Sequence, residues 1–178
     1  MTLSPADVVS GLALALSVAN TAVIVLILRT SGSDTSMGTR QGLPLGAALP
    51  AFEATAQDGR TITDGDSRGA LLLFLGARCR SCHVVAAELQ ALEPALLPRL
   101  VISVLDEPGQ GSDDLFTLLD FVRPSQVFAD PERRVADRLA VPGTPFVYAV
   151  DREGRIRAKA PASTAARLTQ LRRFTERS

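Results

Sequence analysis

Residues 8–28 run without one charged side chain, a stretch of 21 residues interrupted only by small or weakly polar Ser10, Ser17, Asn20 and Thr21. A bilayer core about 30 Å thick takes about 20 apolar residues as a helix, so this stretch predicts a transmembrane anchor after a short segment, residues 1–7. A cleaved signal peptide would need a basic leader, a shorter apolar core and a small-x-small cleavage site. Asp7 is the only side-chain charge before Val8, and Leu26-Ile27-Leu28-Arg29 closes the stretch without such a site, so the anchor is read as uncleaved and single-pass. A cleaved signal peptide is the first alternative to this reading and a buried soluble helix the last. Residues 29–47, rich in Gly, Ser and Thr, predict a flexible linker and leave 48–178 as one globular domain.

Within that domain the period of the apolar positions changes repeatedly. Residues 52–56 and 60–63 alternate around Gln57-Asp58-Gly59, which predicts a β-hairpin. Residues 70–75 (ALLLFL) and 100–105 (LVISVL) are continuous apolar runs of strand length, expected where a strand is buried on both faces of a sheet. Val85, Leu89, Leu92 and Leu96 recur at helical spacing after the first run, and 113–122 carries acidic residues at the front of a helical pattern. Further on come a short strand at 126–129, a helix at 131–140 with Pro in its first turn, a strand at 146–150, a turn at 151–154, a strand at 155–159 and a helix near 164–174. Strand and helix alternate and the chain ends in a hairpin and a helix, so the expected class is α/β, a mixed β-sheet with helices on both faces.

Composition narrows the function. Lys+Arg and Asp+Glu both number 19, so no net basic field attracts nucleic acid, and no nucleic-acid partner is expected. No Trp and one Tyr leave no aromatic surface for stacking bases. Two cysteines and one histidine are too few for a disulfide framework or a four-ligand structural zinc site, so no metal is expected.

The two cysteines stand together in Gly76-Ala77-Arg78-Cys79-Arg80-Ser81-Cys82-His83, between a buried strand and a helix. Cys-x-x-Cys in a first helical turn brings two sulfurs within bonding distance, and the unpaired N–H groups and partial positive charge of the helix N-terminus favour thiolate on the first. Cys79 is therefore expected to be the exposed nucleophile with a lowered pKa, with Arg78, Arg80 and His83 adding positive potential, and Cys82, one turn deeper, to resolve the mixed disulfide. The same five residues also read as a c-type haem attachment site, although a strand leading into a helix is the wrong setting and Met37 is the only sulfur ligand besides Met1. Two inert buried thiols are the bland alternative, as plain strand-opening residues are for Pro142 and Pro145.

Cys79-Arg80-Ser81-Cys82 after LLLFLGAR, followed about 60 residues later by Gly143-Thr144-Pro145 leading into a strand, resembles the thioredoxin superfamily. The resemblance implies a thioredoxin-like fold, a cis Pro145 facing the two sulfurs, and a Thr144 whose backbone receives an extended peptide substrate. The anchor, the linker, Leu49-Pro50-Ala51-Phe52 and the Asp-Gly hairpin are similar to the membrane-anchored TlpA/ResA branch, and the Leu-Arg end of the anchor with LLLFLGARC to MauD-type proteins of methylamine utilisation. The chain departs from the superfamily pattern at Arg78, where Trp is common, at Ser81, where Pro is frequent, and at Leu73, where thioredoxins bury an acidic residue. Glu88 and Asp106 are the nearest acids in sequence, expected in surface or capping roles. A peroxiredoxin is disfavoured, because that family's Pro and Thr before its reactive cysteine are absent from LLFLGARC.

The expected function is thiol-disulfide exchange on protein thiols and disulfides, without a metal or organic cofactor, by a domain held in the membrane lipid by its N-terminal helix. Disulfide chemistry places that domain on the extracytoplasmic side of the cytoplasmic membrane, with a transmembrane electron-donor protein as a further partner. Arg29 and Arg40 after the anchor pull the other way under the positive-inside rule, a bias of two charges that the chemistry outweighs. The alternative is a non-catalytic thioredoxin-like assembly factor whose cysteines are dispensable.

Overall fold

The computed structural model describes residues 42–91, 97–106 and 113–176. They belong to the second of two compact units, Gly38–Ser178. The expected anchor at 8–28 lies outside the described residues, among which no helix is long and apolar enough to cross a membrane.

The domain opens with the hairpin expected from Asp58-Gly59. Strand β1 (Glu53–Thr55) pairs antiparallel with β2 (Thr61–Thr63), Glu53 opposite Thr63, and Gly59 takes the positive φ of 82° that the turn requires. The main sheet has five strands in the order β5 (Val127–Ala129), β4 (Leu100–Val104), β3 (Leu71–Leu75), β6 (Phe146–Val150), β7 (Ile156–Pro161). β3, β4 and β5 are parallel, whereas β6 and β7 are antiparallel additions at one side, so the sheet is mixed.

Every residue of β3, β4 and β6 is buried, which is why those strands read as unbroken apolar runs. Strand alternation then divides the runs between two cores. Leu71, Leu73 and Leu75 pack with Val85 and Leu89 of α1 (Arg80–Leu89), Leu115 of α2 (Asp113–Leu118) and Leu168 and Leu171 of α4 (Ala165–Arg172). Leu72 and Phe74 face the other way, against Ile62 of the hairpin, Phe128, Tyr148 and Val135 of α3 (Arg134–Arg138). Helices thus cover both faces, and each fully buried leucine contributes about 1.5–3 kcal/mol over its exposed state.

Several boundaries differ from expectation for local reasons. The helix expected at 113–122 ends at Leu118, after which Leu119 and Val122 are buried by tight turns, Leu119 N–H bonding to Phe116 O at 3.0 Å and Val122 N–H to Leu119 O at 2.8 Å. The helix expected at 131–140 is only α3. Arg133 takes a left-handed φ of 56°, and the buried Asp130 carboxylate accepts the Val135 and Ala136 N–H groups at 3.2 and 2.8 Å, so the helix starts after Arg133 and not at Pro131. Leu92 and Leu96 lie outside the described residues. At the other end, residues 42–47 of the expected linker lie against the sheet, with Gly46 N–H on Ile156 O at 2.7 Å and Leu43 N–H on the Tyr148 hydroxyl at 2.8 Å. The packed region therefore includes residues before 48.

Register decides where chemistry sits. Leu75 is level with Val104 and Phe74 with Phe146, so the residues after β3, those after β4 and those before β6 share one edge of the sheet. These are the cysteine loop, Asp106 and Thr144-Pro145.

Candidate active site

The chain leaves β3 through buried Gly76 and Ala77, turns at exposed Arg78 and enters α1 at Cys79, its N-cap. As N-cap, Cys79 takes an extended backbone (φ −99°, ψ 104°) and its Sγ accepts the Cys82 N–H at 3.3 Å. That is the place of a Ser or Asp oxygen at an ordinary helix start, occupied here by a sulfur that can carry negative charge. Cys79 and Cys82 are joined as a disulfide, their Cα atoms 5.2 Å apart. The two sulfurs are not equivalent. Cys79 is partly exposed, with Ser81 Oγ 3.3 Å from its sulfur, while Cys82 is 0 % exposed, lies in the core with Val85 and Leu89, and accepts the Gly76 N–H at 3.4 Å.

The Thr144-Pro145 loop closes over this pair. The Thr144–Pro145 bond is cis, Pro145 is buried, and the Thr144 carbonyl oxygen lies 3.5 Å from Cys79 Sγ. Gly76 allows that approach: a Cβ at this position would stand 3.0 Å from Thr144 Oγ1 and 3.7 Å from Cys79 Cβ. Beyond the loop a shallow groove of about 290 Å³ is lined by Pro142, Gly143, Thr144, Pro145, Pro161 and their neighbours, none of them charged.

Two polar side chains clamp the main chain of Ala77, just before the cysteines. The Asp106 carboxylate accepts the Ala77 N–H at 2.6 Å, and His83 Nε2 donates to the Ala77 carbonyl at 2.6 Å. His83 thus positions the loop. Arg78 and Arg80 are exposed, and neither forms a hydrogen bond or ion pair with another described residue. Glu88 caps α4 by accepting the Ala165 N–H at 2.8 Å, and Leu73 is a buried core residue.

Sequence reasoning named Cys79, Cys82, Thr144 and Pro145, and the fold brings these four together. It missed the clamp and the role of Gly76. The signal available for Asp106 was its position directly after a buried strand, because the carboxyl ends of adjacent parallel strands lie side by side. Haem attachment does not fit: it would need both sulfurs reachable and an open imidazole, whereas Cys82 is buried and His83 Nε2 is engaged at Ala77. Among the described residues no three His, Cys, Asp or Glu side chains gather to hold a metal ion.

The architecture is a thioredoxin-like fold, as comparison with solved structures shows. The thioredoxin domain of a thiol-disulfide oxidoreductase from Bacteroides vulgatus is similar with a TM-score of 0.55 at 20% identity, covering 75% of this chain and 99% of that one. A thiol:disulfide interchange protein from Bacteroides sp. is similar at 0.54 and 19% identity, over 75% and 91% of the two chains. Peroxidoxin BcpB from Mycobacterium tuberculosis is similar at 0.56 and 17% identity, over 75% and 98%. No protein-family model matches the sequence, and no curated protein matches it at a significant level.

Proposed function

We propose that this chain is a membrane-tethered thiol-disulfide oxidoreductase acting on extracytoplasmic protein thiols and disulfides, of the TlpA/ResA/MauD kind. The observation that carries the exchange chemistry is the asymmetric pair, one sulfur reachable at a helix N-terminus and one buried beneath it. Tether and location rest on residues 8–28 and on the chemistry of disulfides.

In the reduced state the Cys79 thiolate, stabilised by the Cys82 N–H and the helix dipole, attacks one sulfur of a substrate disulfide and releases the other as a thiolate. The product is a mixed disulfide on Cys79. Cys82, deprotonated, then attacks Cys79 Sγ, closes the Cys79–Cys82 disulfide and expels the second substrate thiolate, so two electrons pass from protein to substrate. The same steps in reverse oxidise a substrate dithiol. Thr144, whose carbonyl borders the reacting sulfur, holds the substrate strand, and buried Pro145 supports that loop. A transmembrane dithiol donor would restore the reduced form if the chain works as a reductant.

The test is equilibration of the full chain, in detergent, against glutathione buffers, trapping free thiols by alkylation. One two-electron transition is expected. A midpoint near −270 mV assigns a reductant and one near −120 mV an oxidant that installs disulfides. Absence of a Cys79–Cys82 disulfide at any poise, or full cellular function of Cys79→Ser, would replace this reading with the non-catalytic assembly factor.

A further inference from the structure

The surroundings of Cys79 are of two kinds. One is the Thr144 carbonyl oxygen, 3.5 Å from the sulfur, in the loop that lines the groove, whose lining carries no charged side chain and includes Pro142, Pro145 and Pro161. The other is the pair of Arg78, immediately before the cysteine, and Arg80, immediately after it. Both are exposed, and neither is paired within the described residues. Among the described residues, the Asp106 carboxylate at this edge is already bonded to the Ala77 N–H. Two guanidinium groups beside a reactive sulfur lie within a Debye length, about 10 Å at 0.1 M salt, of any charge flanking the substrate's own sulfur. Arginine also offers a planar fork of donors that matches a carboxylate.

We infer that the natural substrate is a protein segment whose reactive cysteine is flanked by acidic residues, met by Arg78 and Arg80, with an uncharged apolar residue entering the Pro142–Pro161 groove. The inference rests on the exchange reading above and adds the substrate's chemistry to it. Exposed ion pairs contribute little each at equilibrium, but opposite charges also speed encounter, and two such pairs together amount to about tenfold in rate at low salt. Positive potential at Arg78 and Arg80 also favours the Cys79 thiolate, an effect common to all substrates. Only the ratio between substrates reports recognition.

The experiment uses the full chain in non-ionic detergent, reduced and freed of reductant. Disulfide dimers of short peptides with Glu, Ser or Lys on both sides of one cysteine are the substrates, and release of peptide thiol is followed by chromatography. Each rate is divided by that of the same disulfide with dithiothreitol, which attacks as a thiolate but carries no flanking cations, and this removes intrinsic reactivity. The Glu peptide is expected to react about tenfold faster than the Lys peptide at low salt, with the ratio falling toward one in 1 M salt. In Arg78→Ala/Arg80→Ala the ratio should fall toward one, and in Arg78→Glu/Arg80→Glu it should invert. A ratio near one in the unmodified chain, or a ratio unchanged in both variants, overturns the inference while leaving exchange intact, provided the Ser peptide reacts. If none of the three peptides reacts, the exchange reading itself fails and the inference falls with it.

Discussion

Asp106 holds the N–H of Ala77, 29 positions away in sequence, at 2.6 Å, and so ties the end of β4 to the loop that delivers Cys79. Ala77 is 5% exposed, so removing the carboxylate leaves a buried donor without a partner. Asp106→Ala should therefore cost about 1–3 kcal/mol, read as a lower urea midpoint, and should slow exchange by loosening the loop. Asp106→Asn keeps an acceptor oxygen and should recover part of both losses. An alanine variant as stable and as fast as the parent would show that the clamp is dispensable.

The unequal exposure of the two sulfurs predicts unequal variants. Cys82→Ser leaves the reachable nucleophile without its resolving partner, so incubation with a disulfide peptide should accumulate a stable adduct on Cys79. Cys79→Ser should form no adduct and lose at least about 10³-fold in exchange rate. Intact-mass spectrometry under non-reducing conditions separates the two. Adduct on Cys82 in the Cys79→Ser variant would reverse the assigned roles.

Tyr148 is the single tyrosine of a chain without tryptophan, so its phenolate can be read directly by ultraviolet absorbance. Its hydroxyl donates to Leu139 O at 2.8 Å and accepts the Leu43 N–H at 2.8 Å. Burial pushes its pKa up to about 12, against a partial opposing effect of the Leu43 N–H. The folded state thus holds the proton more tightly than the unfolded chain, and the associated stability is complete below pH 10 and is lost as pH rises from 10 toward 12. Phenolate absorbance should appear near pH 12 in the folded chain and near 10 in urea; a native midpoint near 10 would contradict the burial. Tyr148→Phe removes both hydrogen bonds and should cost about 1–3 kcal/mol.

Asp151, 0% exposed after β6, accepts the Arg155 N–H at 2.7 Å and is paired with the Arg157 guanidinium. Burial alone would raise its pKa, but the Arg155 hydrogen bond, then the hydrogen bond and charge of Arg157, outweigh burial and hold the carboxyl below its ordinary value. A depressed carboxylate contributes stability that is present above its unfolded pKa, near 4, and is lost as pH falls through the lower folded value. Asp151→Asn should destabilise the domain by about 1–3 kcal/mol at pH 7, and its deficit against the parent should shrink as acid protonates the parent's carboxyl. Urea midpoints from pH 7 to pH 2 check this, and a deficit constant over that range would exclude the linkage.

What was legible in the sequence followed from short-range physics. LLLFL and LVISV have the length and unbroken apolarity of strands buried on both faces, Asp58-Gly59 marks a tight turn between alternating residues, and Cys-x-x-Cys stands where a buried strand gives way to a helical pattern. Boundaries failed where a tertiary contact overrode a local preference. Pro131 suits a first helical turn, yet buried Asp130 caps the helix further on, and residues 42–47 have a linker's composition, yet pair with β7 and Tyr148.

By itself the sequence determined the class of fold, the order of its elements and the pair of sulfurs, because periodicity, turn residues and Cys-x-x-Cys spacing act over a few neighbouring residues. Only the tertiary structure decided that Thr144, 65 positions beyond Cys79, borders its sulfur, that Asp106 and His83 grip the N–H and the carbonyl of Ala77, and that Cys82 is sealed from solvent while Arg78 and Arg80 stay unpaired among the described residues. Those relations depend on sheet order and register, which bring the ends of three strands to one edge and are set by how two cores fill, not by any local run of residues.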